Sequence, residues 1–120
     1  MATTYKVLAQ TGSSGSTGNG SATLTAVTNT NLYTVPAATQ SVVSTMVICN
    51  QTALPQTVNV AVRPAGAAIA AQHYVAYNLT VGASDTTALT MGFTLGATDI
   101  VTVYASSASM SFHLYGSEIA

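Results

Sequence analysis

The sequence predicts an all-β fold: a single-domain antiparallel β-sandwich of eight or nine strands, jelly-roll-like or Ig-like in topology. Apolar and polar residues alternate with a period of two along much of the chain, which is typical of half-buried strands. Turn-forming residues separate these stretches at short intervals, as in sandwiches and barrels. Helical periodicity is nearly absent. A chain of 120 residues has room for one core and is too short for two.

The clearest predicted strand covers residues 58–63. Its three valines fall on one face, while Asn59, Ala61 and Arg63 fall on the other, so one face is predicted to be buried. The same alternation recurs at 89–95, 100–104 and 110–115.

Segment 42–49 differs because it is apolar on both faces. That pattern is typical of a central strand covered by a partner sheet or subunit. Four further strands are predicted, at 4–10, 22–27, 32–35 and 74–79. The three prolines all lie between predicted strands, where none removes a ladder hydrogen bond. Segment 67–72 favours a helix but is too short for more than a turn.

A Gly/Ser-rich segment at 12–21 divides the chain into three predicted parts: an N-terminal strand or arm (1–11), a flexible loop (12–21) and the sandwich body (22–120). The loop buries too little apolar surface to offset the entropy of ordering it. It lacks the Lys-Ser/Thr pair and following helix of a phosphate-binding loop. Strand 4–10 is expected to pair either with its own sandwich or with a sheet edge of a neighbouring subunit.

The chain has only two Lys/Arg and three Asp/Glu residues, and 32 Ser and Thr supply most of its polarity. A surface of this kind has little electrostatic protection against association, which predicts an oligomer. Two cations are too few for a direct nucleic-acid function. No apolar run is long enough to span a membrane, and the N-terminus does not resemble a signal peptide, so synthesis in a cytoplasm is expected.

No residue pattern predicts catalysis, a cofactor or a metal. The chain has no Gly-x-Ser-x-Gly elbow, and Cys49 has no sequence neighbour that would make it a reactive thiolate. His73, His113 and Cys49 lie on separate predicted strands, which is not a zinc spacing. Asp85 and Asp99 precede strands, where Asp commonly accepts backbone N–H groups in turns. We therefore expect no catalytic, cofactor-binding or metal-binding residue.

Four residues are candidates for a subunit interface: Tyr5, Lys6, Arg63 and Glu118. Arg63 is expected to pair with Glu118 or Asp99, to bind across a subunit boundary, or simply to lie exposed at a strand end. The six tyrosines are expected mainly in the core or at interfaces. The alternative is a sugar-stacking surface that draws on Tyr74, Tyr77, Tyr104 or Tyr115.

Several segments together resemble a family of small virion structural proteins of tailed bacteriophages, of the cyanophage and marine phage type. The likeness covers roughly residues 30–120 and also residues 5–8. It is carried by 32–36 (LYTVP), 42–51 (VVSTMVICNQ), 60–67 (VAVRPAGA), 73–77 (HYVAY), 97–105 (ATDIVTVYA) and 116–119 (GSEI).

This resemblance implies a non-enzymatic component of the virion, made in the host cytoplasm. The leading expectation is a capsid decoration or cement protein that stabilises the shell by bridging neighbouring subunits. Its expected partners are further copies of itself, as a homo-oligomer such as a trimer, and the major capsid protein or another virion protein. Two alternatives stay open: a tail, baseplate or fibre component, and a carbohydrate- or receptor-binding module.

Overall fold

The computed structural model describes residues 3–90 and 92–120. In this part of the chain, ten strands form two antiparallel sheets. The strands are β1 (Thr3–Gly12), β2 (Gly15–Gly18), β3 (Thr30–Thr34), β4 (Gln40–Asn50), β5 (Gln56–Arg63), β6 (Tyr74–Val81), β7 (Thr86–Leu89), β8 (Phe93–Leu95), β9 (Ile100–Ala105) and β10 (Met110–Ile119). Two single turns of 3-10 helix, Pro64–Gly66 and Ala71–His73, connect β5 to β6. The prediction of an all-β antiparallel sandwich is confirmed.

The first sheet has the strand order β2-β1-β10-β4-β7, and β8 also pairs with β4. The second sheet has the order β3-β9-β5-β6. The first and last long strands are neighbours, since β1 pairs with β10 from Thr3 opposite Ile119 to Thr11 opposite Phe112. The predicted strand 4–10 therefore pairs within its own chain.

The core lies between the two sheets. Val58 and Val60 of β5 face it and are fully buried, as the alternation predicts. Burying such a side chain stabilises the fold by about 1.5–3 kcal/mol. Both sheets contribute large side chains, among them Leu8, Leu32, Met46, Ile48, Val101, Val103, Met110, Phe112 and Leu114.

The Gly/Ser-rich segment is not the flexible tether that its composition predicts. It contains β2, which forms a hairpin with β1 from Ala9 opposite Gly18 to Gly12 opposite Gly15. A Cβ atom at Gly18 would lie 2.5 Å from the Leu8 carbonyl oxygen, so only glycine permits this approach. Backbone hydrogen bonds to β1 order the segment without burial of apolar side chains.

Segment 22–27, for which the sequence predicts a strand, is irregular. Its backbone crosses between the sheets: the Leu24 N–H donates to Gly12 at 3.1 Å, and the Val27 N–H donates to Ala105 at 2.8 Å. Because Gly12 belongs to the first sheet and Ala105 to the second, the segment cannot form a ladder with one neighbour. Leu24 is nevertheless buried in the core.

The predicted strand 89–95 is divided into the end of β7 and all of β8, which pair with different parts of β4. Gly92 has a φ of +66°, a left-handed conformation that interrupts an extended strand. Met91, part of the predicted alternation, lies outside the described residues.

Candidate functional site

The solvent-facing side of the first sheet, called the outer face here, is the main candidate surface. On β10, buried Phe112 and Leu114 alternate with His113 and Tyr115, which therefore point away from the core. Their cross-strand partners share the face. It comprises Tyr5, Val7, Gln10, Val42, Thr45, Val47, Cys49, Thr86, Ala88, Thr94, Ser111, His113, Tyr115 and Ser117.

The outer face explains why segment 42–49 is apolar on both sides. Val43, Met46 and Ile48 of β4 are buried in the core. The opposite side of β4 carries Val42, whose exposed fraction is 38%. On the adjoining strand β1, Tyr5 is 84% exposed. The chain thus presents apolar and aromatic side chains on a sheet surface that its own described residues leave open to solvent.

All five charged side chains lie off the outer face. Lys6 and Glu118 face inward at one end of the sandwich and form an ion pair at 2.7 Å. Arg63 lies on the second sheet, and Asp85 and Asp99 lie in turns. An interface built on the outer face would therefore bury none of the chain's charges. Burying a charge is the costly part of removing a polar surface from water.

Lys6 and Glu118 belong to a polar cluster that links both sheets. The Tyr33 hydroxyl, from β3 of the second sheet, donates to Glu118 Oε2. Ser41 Oγ lies 2.8 Å from the same hydroxyl oxygen. Since the single phenol proton is used toward Glu118, Ser41 is the donor in that second bond. The cluster joins β1, β3, β4 and β10, and no local sequence pattern indicates it because its members are far apart in the chain.

The pKa values of Tyr33 and Glu118 shift in opposite directions. Burial, and then the hydrogen bond to Glu118, raises the pKa of Tyr33 above its ordinary range, so its hydroxyl remains a donor. Burial alone would raise the pKa of Glu118. Hydrogen bonds from Lys6 and Tyr33, together with the charge of Lys6, outweigh burial and hold that pKa below its ordinary value of 4.5.

Acidification is expected to lower the free energy of unfolding through Glu118. Its pKa is lower in the folded chain than in the unfolded chain, so its carboxylate stabilises the fold above pH 4.5. That stabilisation is lost as the pH falls through the lower folded value. Urea unfolding at pH 7, 5, 4 and 3 measures it.

The matched control is Glu118→Gln, which keeps the shape of the side chain but does not titrate. At pH 7 this variant is expected to be less stable than the parent by about 1–3 kcal/mol, because it loses charge-assisted hydrogen bonds. The difference should shrink below pH 4.5. A difference that stays constant from pH 7 to pH 3 would contradict the assigned role of the carboxylate.

Arg63 binds neither of the acidic partners suggested for it. Its Nε donates to Thr102 Oγ1 at 3.0 Å, Nη2 to Asn31 Oδ1 at 3.0 Å and Nη1 to the Ala67 carbonyl at 3.1 Å. The guanidinium therefore covers the solvent side of the second sheet and holds the start of the β5–β6 connection. Among the four interface candidates, only Tyr5 projects from the outer face without an ionic or hydrogen-bonded role in these contacts.

Asp85 and Asp99 bind backbone amides in turns. Asp85 Oδ1 accepts the Thr86 N–H at 2.8 Å. Asp99 Oδ1 accepts the Ala65 N–H, and its Oδ2 accepts the Gly96 N–H, both at 2.8 Å. These contacts agree with the turn role that their positions predict.

His113 lies on the outer face in a polar row. Its Nδ1 is 3.0 Å from Gln10 Nε2, its Nε2 is 3.1 Å from Ser111 Oγ, and its ring stacks parallel to Tyr115. No acidic group takes part in these contacts. Within residues 3–90 and 92–120, no group of three or more His, Cys, Asp or Glu side chains is placed to hold a metal ion.

The tyrosines are distributed over both sheets, so the four proposed stacking residues do not form one platform. Tyr115 lies on the first sheet, and Tyr104 lies on β9 of the second. Tyr74 and Tyr77 of β6 do meet, with ring centroids 5.0 Å apart. Both line an open pocket of about 600 Å³ at the β6 edge of the second sheet.

The fold and these surfaces define a β-sandwich with an uncharged sheet face and a separate aromatic pocket. No family model, curated protein or solved structure matches the chain. No helix among the described residues has the length and apolar character needed to cross a membrane.

Proposed function

We propose that this chain is a non-enzymatic structural subunit of a tailed-phage virion, and that it acts as a capsid decoration or cement protein. The observation that carries the proposal is the outer face: a continuous sheet surface with exposed Tyr5, Val7 and Val42 and no charged side chain. The sequence segments that resemble small virion proteins of tailed phages support the proposal that the particle is a phage virion.

The outer face is large enough for a stable interface. The outer face spans β1, β10 and β4 and the shorter β7, so a spacing of about 4.8 Å between strands and about 3.4 Å per residue along the ten residues of β10 give a surface of at most roughly 19 by 34 Å. A standard interface buries about 800 Å² on each partner, which is a similar area. Apolar surface removed from water there contributes about 25 cal/mol per Å².

The proposed partners are further copies of this chain, assembled as a trimer, and the major capsid protein or another virion protein. A subunit of this kind stabilises a shell by adding buried area across joints between neighbouring capsid subunits. It needs no catalytic group and no cofactor, and the outer face provides contact area without burying a charge. The protein would be made in the host cytoplasm and reside in the virion.

The copy number of the chain in purified virions tests the capsid assignment. A decoration protein is expected at hundreds of copies per particle, measured by quantitative mass spectrometry against the major capsid protein. Recovery of only a few copies or tens of copies would place the chain in the tail, baseplate or fibre instead. Absence from virions would overturn the structural role.

Val42→Lys is expected to disrupt self-association, because it places a charge on the outer face in the same cross-strand row as Tyr5. Val42 is already 38% exposed, so the chain should still fold. Light scattering and sedimentation at tens of micromolar should show an oligomer for the parent and a monomer for the variant.

The matched control is Leu54→Lys, which adds the same charge at an exposed apolar residue in the loop between β4 and β5. It should leave the oligomer intact, and circular dichroism should show that both variants keep their strands. If Leu54→Lys dissociates the oligomer and Val42→Lys does not, the interface lies elsewhere. A monomeric parent protein would contradict self-assembly through this face.

A further inference from the structure

The second sheet ends in a pocket that the proposed particle role does not use. Strand β6 is the edge strand of that sheet, and it carries Tyr74 and Tyr77. Their rings meet edge to face, with an interplanar angle of 74°. Tyr77 is 65% exposed. A large aromatic ring held against another at a sheet edge, and still open to solvent, is a feature of ligand-stacking sites.

Two irregularities in the β5–β6 ladder bring the rings together. In a regular strand, residues three apart point to opposite faces. Here Asn59 alone lies opposite both Tyr77 and Asn78, and Val75 is an extra residue in the next step of the ladder. Asn78 has a φ of +52°, and its N–H donates to Asn59 Oδ1 at 2.7 Å. These bulges place Tyr74 and Tyr77 on the same side.

The opposite wall of the pocket is the turn before β6. Ile69, Ala70 and Ala71 line it together with the two tyrosines, and the volume is about 600 Å³. The turn is held by two hydrogen bonds, in which the His73 N–H donates to the Ala70 carbonyl and the Ala70 N–H donates to His73 Nδ1, both at 3.0 Å. The turn is thus held in place, and its apolar side chains face the aromatic rings.

We propose that this pocket binds a neutral pyranose ring of a glycan. A pyranose has an apolar C–H face that can stack on Tyr77, and hydroxyl groups at its edges that can bond to the phenol groups and the backbone. None of the five lining residues is charged, so a uronic or sialic acid would be desolvated there without a counter-ion. The two tyrosine hydroxyl groups offer hydrogen bonds that a sugar can use and a purely apolar ligand cannot.

The site lies on the second sheet, whereas the outer face belongs to the first. Binding is therefore independent of self-assembly, and a subunit attached to a shell by its outer face would still present the pocket.

The test uses the full chain and uncharged methyl glycosides as probes. Methyl β-glucoside, methyl β-galactoside, methyl α-mannoside and methyl N-acetyl-β-glucosaminide are titrated to tens of millimolar while backbone amide shifts are recorded by NMR. At least one probe is expected to shift the amides of residues 69–71 and 74–78 with saturation. Tyr77→Ala should weaken that binding at least about tenfold, since it removes the stacking ring.

Leu54→Ala is the matched control, because it shortens an apolar side chain that is as exposed as Tyr77 but lies outside the pocket; sugar affinity should be unchanged. The exposure of Tyr77 means that Tyr77→Ala should fold, which its melting temperature checks. The proposal is overturned if no glycoside shifts these amides, if Tyr77→Ala binds as well as the parent, or if glucuronate binds as tightly as glucoside. Shifts at the same amides that depend on protein concentration alone would assign the pocket to a second copy of the chain instead.

Discussion

Val60→Asp is expected to prevent folding. Val60 is fully buried in β5, between Ala76 of β6 and Val103 of β9, and its side chain faces the core. An unpaired carboxylate there costs several kcal/mol even if it takes up a proton, while a domain of this size has only about 5–15 kcal/mol of stability. The variant should lack the circular-dichroism signal of the sheet and a cooperative thermal transition.

The neighbouring substitution Asn59→Asp is the control. It adds the same charge one residue away, on the opposite face of the strand, and keeps an oxygen that can accept the Asn78 N–H. Its free energy of unfolding should lie within about 1 kcal/mol of the parent value. If the two variants were equally stable, the assignment of the core face of β5 would be wrong.

Deletion of residues 1–20 is expected to have the second largest effect. It removes β1 and β2, and with them the buried side chains of Leu8, Ala9 and Thr11. It also leaves one edge of β10 unpaired and takes Lys6 from Glu118. Loss of a buried leucine side chain alone costs about 2–5 kcal/mol. The melting temperature should fall by more than about 15 °C, or folding should fail.

The control for the deletion is Thr4→Ala, which shortens an exposed side chain in the same strand and should change the melting temperature only slightly. A synthetic peptide of residues 1–20, added in excess, should restore part of the lost stability by pairing with β10. A truncated chain that melts like the parent would show that the segment does not belong to its own sandwich. That result would favour pairing of this strand with a neighbouring subunit.

Pairing of β1 within its own chain affects how assembly is envisaged. An arm donated to a neighbour would join subunits by a shared strand, and its removal would abolish assembly but spare the fold. In the structure the first strand instead completes the sheet whose outer face is the proposed interface, since Tyr5 and Val7 lie on β1. Folding of this strand and formation of the interface are therefore linked.

The two proposed functions can be tested independently, because the outer face and the Tyr74–Tyr77 pocket lie on different sheets. Val42→Lys addresses the first sheet and Tyr77→Ala the second, and the two positions share no contact described above. A negative result for self-association would not contradict glycoside binding, and a negative result for glycoside binding would not contradict self-association. A chain that assembles but binds no glycoside would be a plain structural subunit, and one that binds glycoside as a monomer would be a recognition module.

The fold class and the core face of the clearest strand can be predicted from the amino-acid sequence alone. Alternation with a period of two is a local property, so residues 58–63 were sufficient to predict that Val58 and Val60 face inward. The sequence also predicts that both sides of segment 42–49 are covered or apolar, and in the structure one side fills the core and the other forms the outer face. The turn roles of Asp85 and Asp99 follow from equally local geometry.

Which strands pair, and which sites their pairing creates, is apparent only in the folded chain. The composition of the Gly/Ser-rich segment predicts a flexible loop. A β-ladder, however, forms through backbone groups and needs no apolar side chain, so β2 is ordered against β1. Lys6 and Glu118 lie near opposite ends of the sequence and pair because β1 and β10 are neighbours. Tyr74 and Tyr77 meet because bulges shift the strand register. Strand pairing and register are set by contacts distant in sequence, and no local pattern specifies them.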